Sequence, residues 1–511
     1  MKKYLMMVVV AMMATLIVQA QDSLRVRMDC LQRGGSMTRA ESYALPEPYD
    51  FDPQITYRQP VVLISCSDFD FSMDNPRDYY DRLFNEKGFN KGYGLGCVAD
   101  YFRDQSGGRL NLQFDIYGPV KVDKAASGHG THYYGFEILQ SALEQLLETE
   151  TTDFSIYDWD GNGEVNQVVF VVAGYSGHHK KGYIWPNTGM NLYSELPGGI
   201  YPHLVSVSAE LWKDGSLSGI GIIAHEFCHC LGLPDIYPLA PNTLFSTVDE
   251  WDVMDGGNYT NKGWCPPNLS AMEKMYLKWD TPEELTEPTT ITGMKPVSAG
   301  GKTYIIRNSG NPDEYYLLEN RQQDGWDYGC PGNGLLIFYV DYSRLRWRNN
   351  QVNTSEMHYR YNLFHADGKV YSDWDPANTG NDPNKYTMPN NMRSRYFSTL
   401  PYPYTDPVTL TVNNSLTDTS SPAATLFNAA ADGRKFMGKS ITNIQLAADG
   451  TISFDFMKED TGIKSIEFAD ETGVWYTIDG RCLSDKPTAK GIYIFRSNAA
   501  QGQKGRKIIL P

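Results

Sequence analysis

At 511 residues the chain is long enough for about two to four domains and for a core of its own. A net charge of −16 and a pI near 5.1 argue against nucleic acid or an anionic membrane surface as a partner. Aromatic residues at 13%, 34 of them tyrosine, exclude a disordered chain and favour strands.

The chain opens with Lys2 and Lys3, an apolar run from Leu5 to Val18 and the small-residue end Val18-Gln19-Ala20. That order describes a secretory signal peptide over residues 1–20, and the run is short for a bilayer. No later stretch is long and apolar enough to span, so the mature chain is expected to be exported without a transmembrane anchor. Residues 21–55, containing QRGGSMTRAES, lack periodicity and read as a pro-segment or leader. Within it the Cys30 thiolate, or the neighbouring Asp29, could cap a metal, although a plain leader cysteine is the simpler reading. Eight cysteines show no spacing of a dense disulfide framework. Cys228 and Cys230 are two apart on a helix and point in different directions.

A first domain is expected over residues 56–282. Gln59 to Ile64 is a buried strand, a helix covers Leu95 to Arg103, and Leu110, Leu112 and Phe114 alternate as a strand. Phe136, Leu139, Leu143, Leu146 and Leu147 recur at helical spacing, which predicts a helix backing a sheet. Val168 to Val172 is a fully buried strand. Just before it, DWDGNGEVN sets Asp158, Asp160, Asn162 and Asn166 around a glycine turn, the first half of a calcium loop. Val169 stands where the closing Glu of an EF-hand would fall, and an Asx-rich turn is the metal-free alternative.

The chemistry concentrates in IIAHEFCHCLGLPD, residues 222–235. His225 and His229 lie one helical turn apart and project from one face onto one metal ion. Glu226 sits beside them, placed to act as a general base. Gly232 stops the helix and Pro234 prevents a restart, which delivers Asp235 as a third ligand. Two imidazoles and one carboxylate leave a fourth position open, the pattern of a catalytic zinc. Met254 follows in EWDVMDGG. Pro266-Pro267-Asn268 then opens a helix through Leu277 that carries Glu273. Glu273 is the rival third ligand if the pattern is H-E-x-x-H…E, and a solvated helix residue otherwise.

HEFCHCLGLPDIY and EWDVMDGG together resemble the immune inhibitor A-like family of secreted metzincin proteases, in which Asp replaces the third His. YFRDQSGGRL, DWDGNGEVNQVVFVVAGY and YIWPN stand in the family's order, so the resemblance covers roughly residues 60–280. It implies an α+β metzincin-like catalytic domain, zinc on His225, His229 and Asp235, and Met254 as the apolar floor of the site. Many metzincins carry a Tyr two residues after that Met. Gly256 occupies the position here, leaving Tyr259 and Tyr237 as candidates.

From 283 to 460 short alternating strands predict an all-β, sandwich-like domain: Thr303–Ile306, Tyr315–Leu318, Leu335–Val340, Val408–Val412 and Ile452–Phe456. Residues 366–394, rich in Asp, Asn and Pro, read as a long loop. Residues 461–511 form a separate small β module, whose VWYTIDGRCLSD, KGIYIFRSN and GRKIILP resemble the C-terminal sorting domain of type IX secretion cargo. That resemblance implies secretion machinery as a partner. The reading that follows is a secreted zinc endopeptidase acting on protein or peptide substrates, with zinc and a candidate calcium. Two alternatives stand beside it, an inactive cell-surface binding protein on a protease scaffold and a zinc hydrolase of non-peptide amides.

Overall fold

A computed structural model describes residues 31–33, 44–369 apart from 92–93, 191, 193, 240–245 and 356, then 397–458 and, in the C-terminal segment, 473–477, 480–483, 485, 487, 491–497 and 506–510. The expected signal peptide, Asp29, Cys30 and most of the 366–394 loop lie outside the described residues. Residues up to Phe456 form one compact unit and Met457–Pro511 a second.

The first unit is built on a six-stranded mixed sheet. In chain order its elements are β1 (Leu31–Arg33), β2 (Thr56–Ser65), α1 (Pro76–Asn85), α2 (Val98–Gln105), β3 (Asn111–Lys121), α3 (Phe136–Leu147), β4 (Glu164–Tyr175), β5 (Asn187–Met190), β6 (Tyr201–Leu211) and α4 (Gly221–Cys230). The strand order is β1-β5-β6-β4-β2-β3. β2, β3, β4 and β6 run parallel, and β5 runs antiparallel to β6. Val61 to Ile64 and Val168 to Val172 are buried throughout because both faces of the sheet are covered. Alternate side chains feed two cores. Val62, Ile64, Phe170 and Val172 pack with Ile138, Leu139, Leu143 and Leu146 of α3, whereas Val61, Leu63, Val169 and Val171 pack with α1, α2 and α4.

α2 begins three residues later than Leu95 because Cys97 caps it. Its thiol accepts from Asp100 N at 3.3 Å, and the Asp100 carboxylate accepts from Cys97 N at 3.2 Å. Cysteine in a capping box gives no ordinary start signal. The next helix, α5 (Ala271–Tyr276), starts at the Ser270 cap rather than at Pro267. Residues 267–269 are instead tied to other elements: Tyr101 donates to Pro267 O at 2.8 Å, and Asn268 N donates to Asp327 at 2.9 Å.

Beyond α5 come β7 (Glu283–Glu284), β8 (Thr289–Met294), β9 (Tyr304–Arg307), β10 (Glu314–Arg321), β11 (Gly334–Asp341), α6 (Arg344–Arg348), β12 (Tyr361–Leu363), β13 (Tyr404–Thr405), β14 (Val412–Asn413), β15 (Ile441–Leu446) and β16 (Ile452–Phe456). They form a five-stranded sheet in the order β12-β11-β10-β9-β7, a three-stranded sheet β15-β16-β8 and the pair β13-β14. Leu317, Phe338, Val340 and Tyr361 join the same core cluster as Phe102 and Phe227. A buried Glu319–Arg321–Asp327 ion cluster, at 3.0 and 2.7 Å, reaches back to the start of α5, where Ala271 N donates to Glu319 at 2.9 Å. The elements before residue 282 and the β-rich elements after it therefore share one interior. No continuous strand spans 408–412: the Asp406 carboxylate accepts from both Val408 N and Thr409 N at 2.8 Å and turns the chain there.

The second unit is a four-stranded antiparallel sheet in the order β18-β17-β19-β20, made of β17 (Gly473–Thr477), β18 (Cys482–Leu483), β19 (Gly491–Ser497) and β20 (Arg506–Leu510).

Candidate metal centre

α4 is buried along its whole length up to His229. It lies close to the turn that follows Met254: a Cβ on Gly221 would collide with the carbonyl of Asn258. Gly232, at φ +102°, ends the helix in the left-handed region, as its sequence position predicts. A side chain there would also meet Pro46 O at 2.5 Å.

Each imidazole is oriented through its far nitrogen. His225 Nδ1 lies 2.8 Å from Val253 O, and His229 Nδ1 lies 2.8 Å from Leu233 O. A carbonyl only accepts, so Nδ1 carries the proton and Nε2 of a neutral ring presents its lone pair. Asp235 Oδ1 is 3.3 Å from His225 Nε2 and 3.3 Å from His229 Nε2. The three ligand atoms lie within 4.8 Å of one another, and among the described residues this is the one group of three or more His, Cys, Asp or Glu side chains that converges so. His229 Nε2 and Asp235 Oδ1 are fully buried and have no hydrogen-bond partner, an expensive state for polar atoms unless a cation completes them. Ligands at about 2.0–2.1 Å from a tetrahedral zinc stand about 3.3 Å apart, so the donor set and its spacing fit that ion. Burial works to raise the Asp235 carboxyl, but the imidazoles, His229 foremost, hold it well below the usual carboxylate range.

Residues 213–282, which contain the whole triad and Met254, match the family of immune inhibitor A peptidase M6 catalytic domains. This stretch is similar to the catalytic domain of the immune inhibitor A metalloproteases. It is 24% identical over 262 residues to the pre-pro-metalloprotease PrtV of Vibrio cholerae, covering 41% of this chain and 28% of that one. It is 24% identical over 273 residues to immune inhibitor A of Bacillus thuringiensis, covering 43% of this chain and 39% of that one. The chain thus spans well under half the length of these relatives.

Glu226, within the matched stretch, is buried, and its Oε2 accepts a 2.8 Å hydrogen bond from Thr188 Oγ1 on β5. The same hydroxyl also lies 2.8 Å from Glu226 O. Burial pushes the Glu226 carboxyl up to about 8, against the opposing pull of His225 and Thr188. Met254 is fully buried; its N donates to Asp252 Oδ1 at 2.8 Å and its O accepts from Ile236 N at 3.0 Å. The Met254 turn therefore touches both the His225 ring, through Val253 O, and the chain next to Asp235.

Glu273 is not among the converging ligands, and it is not solvated. At 2% exposure it caps its own helix through Ser270 and faces Asp252. Burial, reinforced by the second carboxylate, holds Glu273 protonated far above the usual range, and burial raises Asp252 to about 6. A helix-surface pattern hides this pairing because Asp252 comes from another segment. Tyr259 stacks on His178 with ring centroids 4.2 Å apart and planes 9° from parallel, and Tyr237 is half-buried just past Asp235.

The 158–166 loop is organised from within. Asp158 Oδ1 accepts from Gly161 N at 2.8 Å and its Oδ2 from Gly163 N at 2.9 Å. Asn162 Oδ1 accepts from Glu164 N at 2.8 Å and Asn166 Oδ1 from Trp159 N at 2.7 Å. Asp160 Oδ2 accepts from the Asn162 amide at 3.3 Å. These are the bonds of an Asx-rich turn, with oxygens engaged by N–H groups.

Sequence reasoning missed Thr188 and one further residue, Asn350, whose amide bonds Asp235. Neither sits in a motif.

Proposed function

We propose that the chain is a secreted zinc endopeptidase of metzincin type. The observation that carries the reading is the meeting of His225, His229 and Asp235 ligand atoms within 4.8 Å, two of them buried and unpartnered, beside a buried Glu226. When bound, zinc supplies Lewis acidity, making a water acidic near neutral pH and polarising the scissile carbonyl. Glu226 takes the proton of the attacking water on its carboxylate and delivers it to the amine nitrogen as the C–N bond breaks. Thr188 holds that carboxylate in place, and Met254 supplies the apolar floor. β5, a strand that runs antiparallel to its neighbour β6, lies beside the proposed catalytic glutamate and supports the metzincin reading. Protein or peptide chains are the substrates.

Residues 1–20 direct export, and the C-terminal β module serves type IX secretion. No helix among the described residues is long and apolar enough to cross a membrane. His225, Glu226 and His229 are all present and oriented, so nothing favours an inactive scaffold.

Glu226→Gln tests the reading. The amide keeps the shape and every zinc ligand, so zinc content stays at the wild-type level while peptide cleavage falls by about 10² to 10⁴. Cleavage near the wild-type rate removes Glu226 as the base.

A further inference from the structure

The two oxygens of Asp235 have separate surroundings. Oδ1 faces the imidazoles, whereas Oδ2 accepts from Asn350 Nδ2 at 2.7 Å. The Asp235 backbone N donates to Asn350 Oδ1 at 2.6 Å. One amide thus grips the ligand by main chain and side chain together, from 115 residues away.

Asn350 is itself tightly held. It is 1% exposed, adopts φ +52°, and its N donates to Trp347 O at 3.1 Å, just past the end of α6. Asparagine tolerates that left-handed backbone better than most residues. The N-terminal segment pins α6: Leu45 N donates to Arg348 O at 2.6 Å, and Glu47 pairs with Arg348 at 3.0 Å. Three residues on, Asn353 donates to Ile236 O at 2.7 Å and accepts from Leu239 N at 2.8 Å. Residues 350–353 therefore run beside residues 235–239 and fix the segment that carries the third ligand.

Resting on the zinc reading above, we propose that Asn350 is a positioning residue for the metal ligand Asp235. A carboxylate rotates broadly about its last torsion. A donor on Oδ2 selects the rotamer in which Oδ1 meets the metal, and the bond to the backbone N sets the height of the turn. The β-rich half of the unit thereby completes the metal site of the protease half.

The test compares full-length Asn350→Gly, Asn350→Asp and Asp235→Ala with wild type. Glycine keeps the positive φ and deletes the amide. Aspartate keeps the size and the acceptor for Asp235 N but removes the donor to Oδ2, so it serves if the glycine variant fails to fold. The readouts are zinc affinity by chelator competition, the visible absorption spectrum of the cobalt-substituted protein, and circular dichroism of the metal-free chain. Asn350→Gly and Asn350→Asp are expected to bind zinc roughly 10- to 100-fold more weakly, with a changed cobalt spectrum and an unchanged metal-free fold. Zinc affinity within twofold of wild type and an unaltered cobalt spectrum in a folded Asn350 variant overturn the proposal. Zinc affinity unchanged in Asp235→Ala overturns the ligand set itself, and the proposed function with it.

Discussion

In the proposed mechanism, the chemistry at Glu226 rests on a single hydrogen bond from Thr188. A buried carboxylate that must take up and release a proton has to keep one position, and the Thr188 hydroxyl provides it at 2.8 Å. A hydrogen bond to a charged group is worth about 1.5–3 kcal/mol. Thr188→Val, nearly isosteric, is therefore expected to lower kcat about tenfold or more while leaving zinc content unchanged. Steady-state peptide hydrolysis together with metal analysis checks this, and a kcat equal to wild type would detach Thr188 from the base. The convergence of His225, His229 and Asp235 beside Glu226 was legible because they fall within fourteen consecutive residues whose spacing a helix converts directly into geometry. Thr188 and Asn350 were not, because their contacts arise from sheet register and long-range packing, which leave no periodic trace. Glu273 misled for the same reason: its partner Asp252 comes from a separate segment, so its burial could not be read from its own helix.

At the level of elements, long apolar runs were read well and the beginnings of helices less well. Phe136–Leu147 has the predicted limits, because five apolar residues at helical spacing leave one face to bury. α2 and α5 start later than their composition suggests, one behind a cysteine cap and the other behind a tethered Pro-Asn stretch. The end of α4 is the element boundary on which the site depends. Gly232→Ala would meet both left-handed strain and the Pro46 carbonyl at 2.5 Å. We expect it to cost about 2–4 kcal/mol, read as a fall in Tm of the metal-free protein. Gly161→Ala is the control, since Gly161 has φ +72° but open space around its Cβ. It should show the strain alone and a smaller fall. Equal falls would mean that the contact with Pro46 carries no weight.

At the scale of the molecule, the chain divides into two compact units. The first holds the candidate metal centre, and its core runs on past residue 282 into the β-rich region. Among the described residues, none from the second, Met457–Pro511, belongs to the group His225, His229 and Asp235 or to the Asn350 clamp. Deleting residues 457–511 should therefore leave a folded protease that cleaves peptide at the wild-type rate but stays inside the producing cell. Activity assays on cell and medium fractions decide it, and normal export of the shortened chain would discard the sorting role.

The contact between Pro46 and the end of α4 has a bearing on maturation. Leu45 is fully buried and hydrogen-bonded to Arg348, and Pro46 seats its carbonyl over Gly232. The stretch that begins at residue 44 thus behaves as a plug wedged between the α6 segment and the tail of α4. A protease trimming the leader at Arg39 leaves that plug seated. A cut only a few residues later would pull it out and free the segment that Asn350 terminates. A leader removed upstream of Leu45 would leave the packed stretch from residue 45 onward with the fold.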